Sequence, residues 1–531
     1  MKQFLKDHIA EFFLAFGLSF MLYFYEPLFL YSSNTVEFWF DIYIYFKYVL
    51  IEFIIMFLII LIILLLLSKL FKNCFLYKRT VLMIYIIMYI QGNYLIGQLP
   101  KIDGVANRVA IGDSSWIISN LLSGIVIIAA YLGVKYLIKK RTVEYINKVI
   151  KYTVVIISLM LTTATVSLMF TPHLFDKKDN ISTTYKNLNA YSSNKNFIIF
   201  VADTIDMSLF NSRLENKDLF KDFTNYKDTT SMYLFTRYAV PHMLSGNKYY
   251  NEGTFVDYFS KSIDESKFLN TLKESNYTID LYEAGLVYNS KNYDKIDNLK
   301  KSNEFDLYRF IQVETKYMLY KYVPYFLKDL TNINSLNFNY IKTEEFFEYE
   351  NDKFYYNTKK DIDIVDNNMF KYIHIKGGHS PHNMDANLNK IDGTYFDSLD
   401  VTITILESYI NQLKNKGVYD NSVIIITADH GAGTEYINRC NPILYIKGIN
   451  EHHEYQESSD KVSFDDLQDA YFKLLNGEDS TNLFKDKQPN DKRTILMYSF
   501  EDDDVIYEYS QESNAWDFGS LKYTGKSYKK R

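Results

Sequence analysis

Apolar runs of two lengths divide this chain. Between residues 9 and 171 they are long, falling near 9–31, 46–68, 80–99, 117–138 and 149–171, and each reaches the roughly 20 residues that a bilayer-spanning helix needs. The second contains the unbroken stretch IIMFLIILIILLLL. The third is interrupted by Gln91, Gly92 and Asn93, and polar groups at that depth face a bundle interior or a cavity rather than lipid. From Thr171 to Asn196 the chain turns polar and loses periodicity, which predicts a transmembrane domain over 1–171 and a juxtamembrane linker over 172–195.

Beyond residue 196 the apolar runs shorten to strand length and alternate with amphipathic stretches. Phe197–Ala202 predicts a buried strand, Phe268–Glu274 a helix, the residues after Tyr277 a strand, and Tyr372–Ile375 another. Leu399, Ile403, Leu406, Ile410 and Leu413 then recur at spacings of 4, 3, 4 and 3, one apolar helix face. That helix is expected to stop at Lys416-Gly417, and the strand Val423–Thr427 follows it directly. Strands alternating with helices predict an α/β domain over 196–531 with a mainly parallel central sheet. The tail, with ILMYSF, DVIYEYS and SLKYTGKSY, predicts a small antiparallel sheet.

Charge orients the first third. The N-terminus carries Lys2 and Lys6, the second loop Lys69, Lys72, Lys78 and Arg79, and the fourth Lys139, Lys140, Arg141 and Lys148. The first loop is acidic and the third, 100–115, is mixed. Cytoplasmic loops carry an excess of Lys and Arg, so the N-terminus is expected inside the cell and, after five spans, the α/β domain outside it. Nothing at the start resembles a cleavable signal, so the first span is expected to remain as an anchor.

Composition removes some classes of partner. A net charge of -6 argues against nucleic acid, whose phosphate backbone demands a basic surface. The only cysteines are Cys74 and Cys440, expected on opposite sides of the membrane, which leaves no disulfide framework.

Candidate chemistry sits where two predicted strands end. The first delivers Asp203, and Val423–Thr427 leads into Ala428-Asp429-His430-Gly431; in such sheets ligands collect at the carboxyl ends of strands. Between them, SMYLFTRYAVPHMLSG carries Thr236 at the expected start of a helix. A divalent cation bound by Asp203, Asp429, His430 and the Thr236 hydroxyl would lower the hydroxyl pKa and make Thr236 a nucleophile. The N–H groups of a helix start suit a phosphate, so the set favours phosphoryl chemistry. Carboxylate, hydroxyl and imidazole donors suit Mn²⁺ or Zn²⁺ better than Mg²⁺. His374, between apolar residues on a predicted strand, reads as a core histidine, and His242 as structural. His382 lies close enough to His379 to line a pocket, while His452 and His453 fall in a charged loop.

Five spans, a strand ending VADT, the TRYAVPHMLSG segment, the IHIKGGHSP segment and a strand ending TADHG together resemble the membrane-anchored branch of the alkaline phosphatase/sulfatase superfamily. That branch includes the lipoteichoic acid synthases and phosphoethanolamine transferases. The resemblance implies that Thr236, four residues before Val240-Pro241, is the nucleophile, that Asp203, Asp429 and His430 are metal ligands, and that His379 contacts the substrate phosphate. Three departures stand out. The first acidic ligand is Asp203 where these transferases usually carry glutamate, the cysteines around the nucleophile are absent, and no histidine downstream of DHG matches theirs. Arg439 is the nearest candidate to replace that histidine.

The expected activity is transfer of a phosphoglycerol or phosphoethanolamine headgroup from a membrane phospholipid, through phosphothreonine, to a cell-surface glycan, teichoic-type polymer or glycolipid. One alternative is a sulfatase-like or phosphodiesterase hydrolase with water as acceptor. The sulfatase nucleophile signature, Cys or Ser followed by x-Pro-x-Arg, is not found at the expected place. The other alternative, of a different class, is a catalytically inactive membrane protein that binds surface polymer.

Overall fold

The computed structural model describes residues 8–35, 38–95, 114–138, 142–214, 217–283, 290–302, 304–323, 327, 331, 333, 335–343, 345–433, 435–485, 492–499 and 505–529. The loop 100–113 and the basic residues Lys2, Lys6, Lys139, Lys140 and Arg141, which carry part of the orientation argument, lie outside them. The chain divides into two compact units, Met1–Lys178 with Ser302–Glu344, and Asp179–Lys301 with Glu345–Arg531. The segment 302–344 belongs to the first, whereas the sequence reading sets the domain limit at residue 196 without such a return.

Among the described residues the first unit holds five helices long and apolar enough to cross a membrane: α1 (Ile9–Ser33), α2 (Ile42–Leu70), α3 (Cys74–Tyr94), α4 (Ile117–Tyr136) and α5 (Val143–Leu168). Asp41 caps α2 by accepting from the Tyr43 and Ile44 N–H groups, and Asn73 and Thr142 cap α3 and α5. Ile54, Leu58, Ile62 and Leu66, one i,i+4 stripe of α2, are each more than half exposed, a face that water would penalise and lipid would not. Gln91 is turned inward, where the Ser123 hydroxyl of α4 donates to it at 3.1 Å.

Helix α6 (Leu307–Tyr322), capped by Asp306, packs in this same unit. Its Lys321 pairs with the buried Glu26 of α1, its Tyr322 hydroxyl donates to Glu26 at 2.7 Å, and its Glu314 accepts from the Tyr45 hydroxyl of α2 at 2.5 Å. Buried charges are tolerated only when paired and hydrogen-bonded, so these pairs fix which face of α6 turns inward.

The second unit is built on a seven-stranded sheet. Its strands are β1 (Asn196–Ala202), β2 (Thr224–Tyr226), β3 (Thr278–Tyr282), β4 (Met369–Ile375), β5 (Ser422–Thr427), β6 (Leu444–Lys447) and β7 (Gln456–Ser458). The spatial order is β7-β2-β6-β5-β1-β4-β3. Strands β5, β1, β4 and β3 run parallel to one another, and β6 is antiparallel to β5 and to β2. Along β1, Phe197, Ile199 and Val201 enter one core while Ile198, Phe200 and Ala202 enter the other, so both faces are covered.

Helix α7 (Thr236–Ser245) covers the first face through Val240, Met243 and Leu244. Helix α8 (Tyr395–Asn415), with a Thr394–Asp397 capping box, covers the second. The predicted stripe of α8 is buried at Leu399, Leu406, Ile410 and Leu413, but Ile403 is only half-buried, because Val401, Ile405 and Tyr409 turn toward the sheet with the stripe. A separate antiparallel sheet closes the chain: β8 (Arg493–Ser499), β9 (Val505–Gln511) and β10 (Leu521–Tyr528).

Candidate active site

Four adjacent strands end in a row of chemistry. In the parallel register, Thr427 lies beside Val201, Val201 beside His374, and Tyr282 beside Ile373. The residues at or just past these ends are Asp429, Asp203, His374 and Glu283, from β5, β1, β4 and β3. A carboxylate oxygen of Asp203, a ring nitrogen of His374 and a carboxylate oxygen of Asp429 all lie within 4.8 Å of one another.

The turn after β1 is held tightly. Thr204 adopts φ 58, a left-handed conformation that is costly for a threonine and typical of functional sites. Its N–H donates to Asp429 Oδ1 at 3.1 Å and its hydroxyl to Asp203 Oδ1 at 2.5 Å. The exit of β4 runs across this turn: Gly378 N–H donates to the Asp203 carbonyl at 2.8 Å. At Gly377, with φ +50, a Cβ would stand 2.7 Å from Asp203 N and 2.8 Å from its carbonyl oxygen, so only glycine allows the two backbones to approach this closely.

Asp203 Oδ2 faces the cluster. It lies 3.5 Å from Thr236 Oγ1 and 4.0 Å from His374 Nε2, and it accepts from the Tyr349 hydroxyl. His430 Nε2 lies 3.4 Å from Asp429 Oδ2 and 3.9 Å from Asp203 Oδ1, with its Nδ1 hydrogen-bonded to the Gly431 carbonyl at 2.9 Å. Thr236 stands half-buried at the start of α7, with no side chain capping that terminus. The Tyr238 N–H turns back to the Phe235 carbonyl at 3.0 Å, and the Thr236 and Arg237 N–H groups stand at the terminus, where an anion can be met.

The buried groups of the cluster shift one another. Burial would raise the Asp429 carboxyl, but the His430 and His374 imidazoles, the Thr236 hydroxyl and the Thr204 N–H hold it down at about 2. Burial would lower His374, but the Glu283 carboxylate and then Asp203 and Asp429 push it up to about 9. His374 Nε2 and Asp429 Oδ2 are buried without a hydrogen-bond partner. Two buried polar atoms left open in one small cluster are what a metal ion would satisfy.

The structure gathers Asp203, Thr236, Asp429 and His430 around one point. His379 is half-buried beside them, its ring 6.4 Å from that of Tyr349. Arg439 donates to the Leu234 carbonyl at 3.5 Å and lies over the Phe235 ring just before Thr236. His382 turns to α8, with its Nδ1 3.0 Å from Ser398 Oγ and its ring against Tyr395. His242 contacts Asp465 at 2.9 Å, behind α7. Sequence reasoning passed over Tyr349 and Glu283, and it set His374 aside as core. A charged residue closing the apolar run TIDLY is the same signal that singled out Asp203, and it would have found Glu283.

The sulfatase family profile matches residues 195–485. No curated protein sequence matches the chain significantly. Among solved structures, a protein of the alkaline phosphatase superfamily from Vibrio parahaemolyticus is 12% identical, with a TM-score of 0.35, over 65% of this chain and 85% of the other. The phosphonate monoester hydrolase from Silicibacter pomeroyi is 12% identical, with a TM-score of 0.34, over 62% and 88%. The C-terminal periplasmic domain of EcEptC from Escherichia coli is 9% identical, with a TM-score of 0.32, over 65% and 96%. The family match begins one residue before β1 and takes in every strand of the sheet that carries the ligand groups, and by it the chain belongs to the sulfatase family.

Proposed function

We propose that this chain is a membrane-anchored phosphotransferase. It moves a phospho-alcohol headgroup, phosphoglycerol or phosphoethanolamine, from a membrane phospholipid to a cell-surface glycan, teichoic-type polymer or glycolipid. The observation that carries the reading is the position of Thr236, at an uncapped helix start with its Oγ1 3.5 Å from Asp203 Oδ2. The five apolar helices support it in a second way, since a site anchored in the bilayer stays near a donor that cannot leave it.

Thr236 Oγ attacks the phosphorus of the phospholipid, and the bond from phosphorus to the diacylglycerol oxygen breaks. Diacylglycerol departs with a proton, leaving the headgroup phosphate esterified to Thr236. An acceptor hydroxyl then attacks the same phosphorus and Thr236 Oγ leaves. Asp203, Asp429, His430 and Thr236 would hold a divalent cation, Mn²⁺ or Zn²⁺, which lowers the pKa of the hydroxyl and takes up phosphate charge. The free N–H groups at the start of α7 and the side chains of His379 and Arg439 meet the phosphate oxygens as charge develops. In this reading the N-terminus is cytoplasmic and the catalytic unit extracellular, as the Lys and Arg of the second and fourth loops suggest.

The test uses the full chain in detergent with a fluorescent-headgroup phospholipid and no acceptor. Intact mass should show one headgroup-phosphate adduct, on Thr236, absent from Thr236→Ala and retained by Thr236→Ser. Multiple-turnover release of free headgroup without acceptor would make the protein a hydrolase instead. No adduct and no release in the wild type would favour an inactive polymer-binding protein.

A further inference from the structure

The ligand set proposed above, Asp203, Asp429, His430 and Thr236, gives no role to His374 and Glu283, although His374 lies in one group with Asp203 and Asp429. His374 is fully buried on the central strand β4, between β1 and β3. Its Nδ1 is hydrogen-bonded to the Glu283 carboxylate, at the end of the neighbouring strand β3, and Glu283 is itself 3% exposed. The Tyr349 ring packs edge-on against the imidazole, 5.4 Å away at 77°. With Nδ1 held on one side and the ring plane held by Tyr349, Nε2 has one direction to face. It faces Asp203 Oδ2, 4.0 Å away, with Asp429 beyond, and it has no hydrogen-bond partner.

His430 repeats this arrangement from the other side, with Nδ1 on the Gly431 carbonyl and Nε2 toward Asp203 and Asp429. Metal-bound histidines are commonly fixed in this way, the remote N–H donating to a carboxylate or carbonyl so that the near nitrogen keeps its lone pair for the ion. Of the two acceptors, a carboxylate raises the basicity of the ring more. We propose that His374 is a direct ligand of the divalent cation and that Glu283 is a positioning residue, fixing the tautomer and aim of His374 from the adjacent strand. The inference rests on the reading that this site binds a metal, and it adds a second imidazole to that centre besides His430.

A competing role is available to the same geometry. His374 could remain an imidazolium locked between Glu283, Asp203 and Asp429, a fixed positive charge in place of a ligand. The two roles differ in sign. A ligand lost weakens metal binding, whereas a neighbouring positive charge removed strengthens it.

The experiment is Mn²⁺ binding to the full chain in detergent, with affinity measured by competition against a chelator and with pulsed electron paramagnetic resonance counting the imidazole nitrogens coupled to the ion. The wild type should show two such nitrogens and His374→Gln one, with weaker affinity. Glu283→Gln, nearly the same shape, should keep the fold and weaken Mn²⁺ binding about 10–100-fold, the usual effect of removing an outer-shell partner. One nitrogen in the wild type, or unchanged or tighter binding in either variant, would overturn the inference and leave the function proposed above standing. A wild type that binds no Mn²⁺ or Zn²⁺ would sink both. Because Glu283→Gln carries its own affinity readout, the question stays answerable if His374→Gln does not fold.

Discussion

Replacing Gly377 by alanine isolates the close approach on which the placement of Asp203 depends. Two costs add. The first is the left-handed backbone: φ is +50, and for a residue with a Cβ that region costs about 1–2 kcal/mol. The second is collision, since the new methyl would stand 2.7 Å from Asp203 N, 2.8 Å from Ala202 C and 2.8 Å from Asp203 O. These are backbone atoms of a central strand and cannot swing aside, and forcing a methyl into packed structure costs about 1–3 kcal/mol. The sum is about 2–5 kcal/mol.

Gly417, at the end of α8, provides the control. Its φ is +70, but a Cβ there would meet nothing within 4 Å, so Gly417→Ala bears the first cost alone. At roughly 2 °C per kcal/mol in a domain of this size, thermal unfolding of the full chain in detergent should fall by about 2–4 °C for Gly417→Ala and by clearly more for Gly377→Ala. Only Gly377→Ala should also weaken Mn²⁺ binding, because relief of the collision must move Asp203. If the two variants melt together and bind Mn²⁺ like wild type, the close approach does not position the carboxylate and the argument for Gly377 fails.

Two further outcomes follow from other parts of the second unit. Arg493 begins β8 and is buried against Asp228, with Nη1 2.7 Å from Oδ1, while Asp228 also accepts from the Ala515 N–H at 2.7 Å. Arg493→Met should cost about 3–5 kcal/mol by leaving that carboxylate buried and unpaired. It should expose the C-terminal sheet to protease first, and a melting curve and digestion pattern like wild type would contradict this. Asp465, half-buried beside His242 and Lys248, would be raised by burial, but its bonds to these two groups depress it below 3.8. A depressed carboxylate stabilises the fold above its unfolded pKa and loses that contribution as pH falls through the folded value. The stability gap between wild type and Asp465→Asn should therefore shrink as pH falls below about 3.8. A gap independent of pH would mean that charge is not its source.

Length and apolar continuity made much of this architecture legible. The five helices of the first unit and the strands β1, β4 and β5 fall where their apolar runs predict, because a bilayer span and a strand buried on both faces are both written as unbroken hydrophobicity. That same continuity hid His374. All seven residues of β4 are buried, so no alternation of exposed and buried positions marks which side chain points at chemistry. A histidine flanked by Ile373 and Ile375 then looks like any other core residue. The return of 302–344 to the helical unit was hidden for a different reason. An amphipathic helix such as α6 shows which of its faces is apolar, not which core receives it, and the decisive contacts of Glu26 with Lys321 and Tyr322 join residues almost 300 positions apart.

The row of Glu283, His374, Asp203 and Asp429 follows from how a parallel sheet is made. Parallel strands present all their carboxyl ends at one edge, neighbours lie about 4.8 Å apart, and each end can place one side chain over the gap to the next. A carboxylate alone at such an end is a capping group. Four polar ends in succession put three acids around one buried imidazole, a concentration of negative charge that neighbouring donors and positive groups must offset. The His374 ring meets Glu283 through its Nδ1, which leaves Asp203 and Asp429 to be met. The Tyr349 hydroxyl and the Thr204 N–H donate to them but carry no charge. The sheet order itself thus brings these charges together, and the start of α7 brings the half-buried Thr236 hydroxyl to 3.5 Å from Asp203 Oδ2.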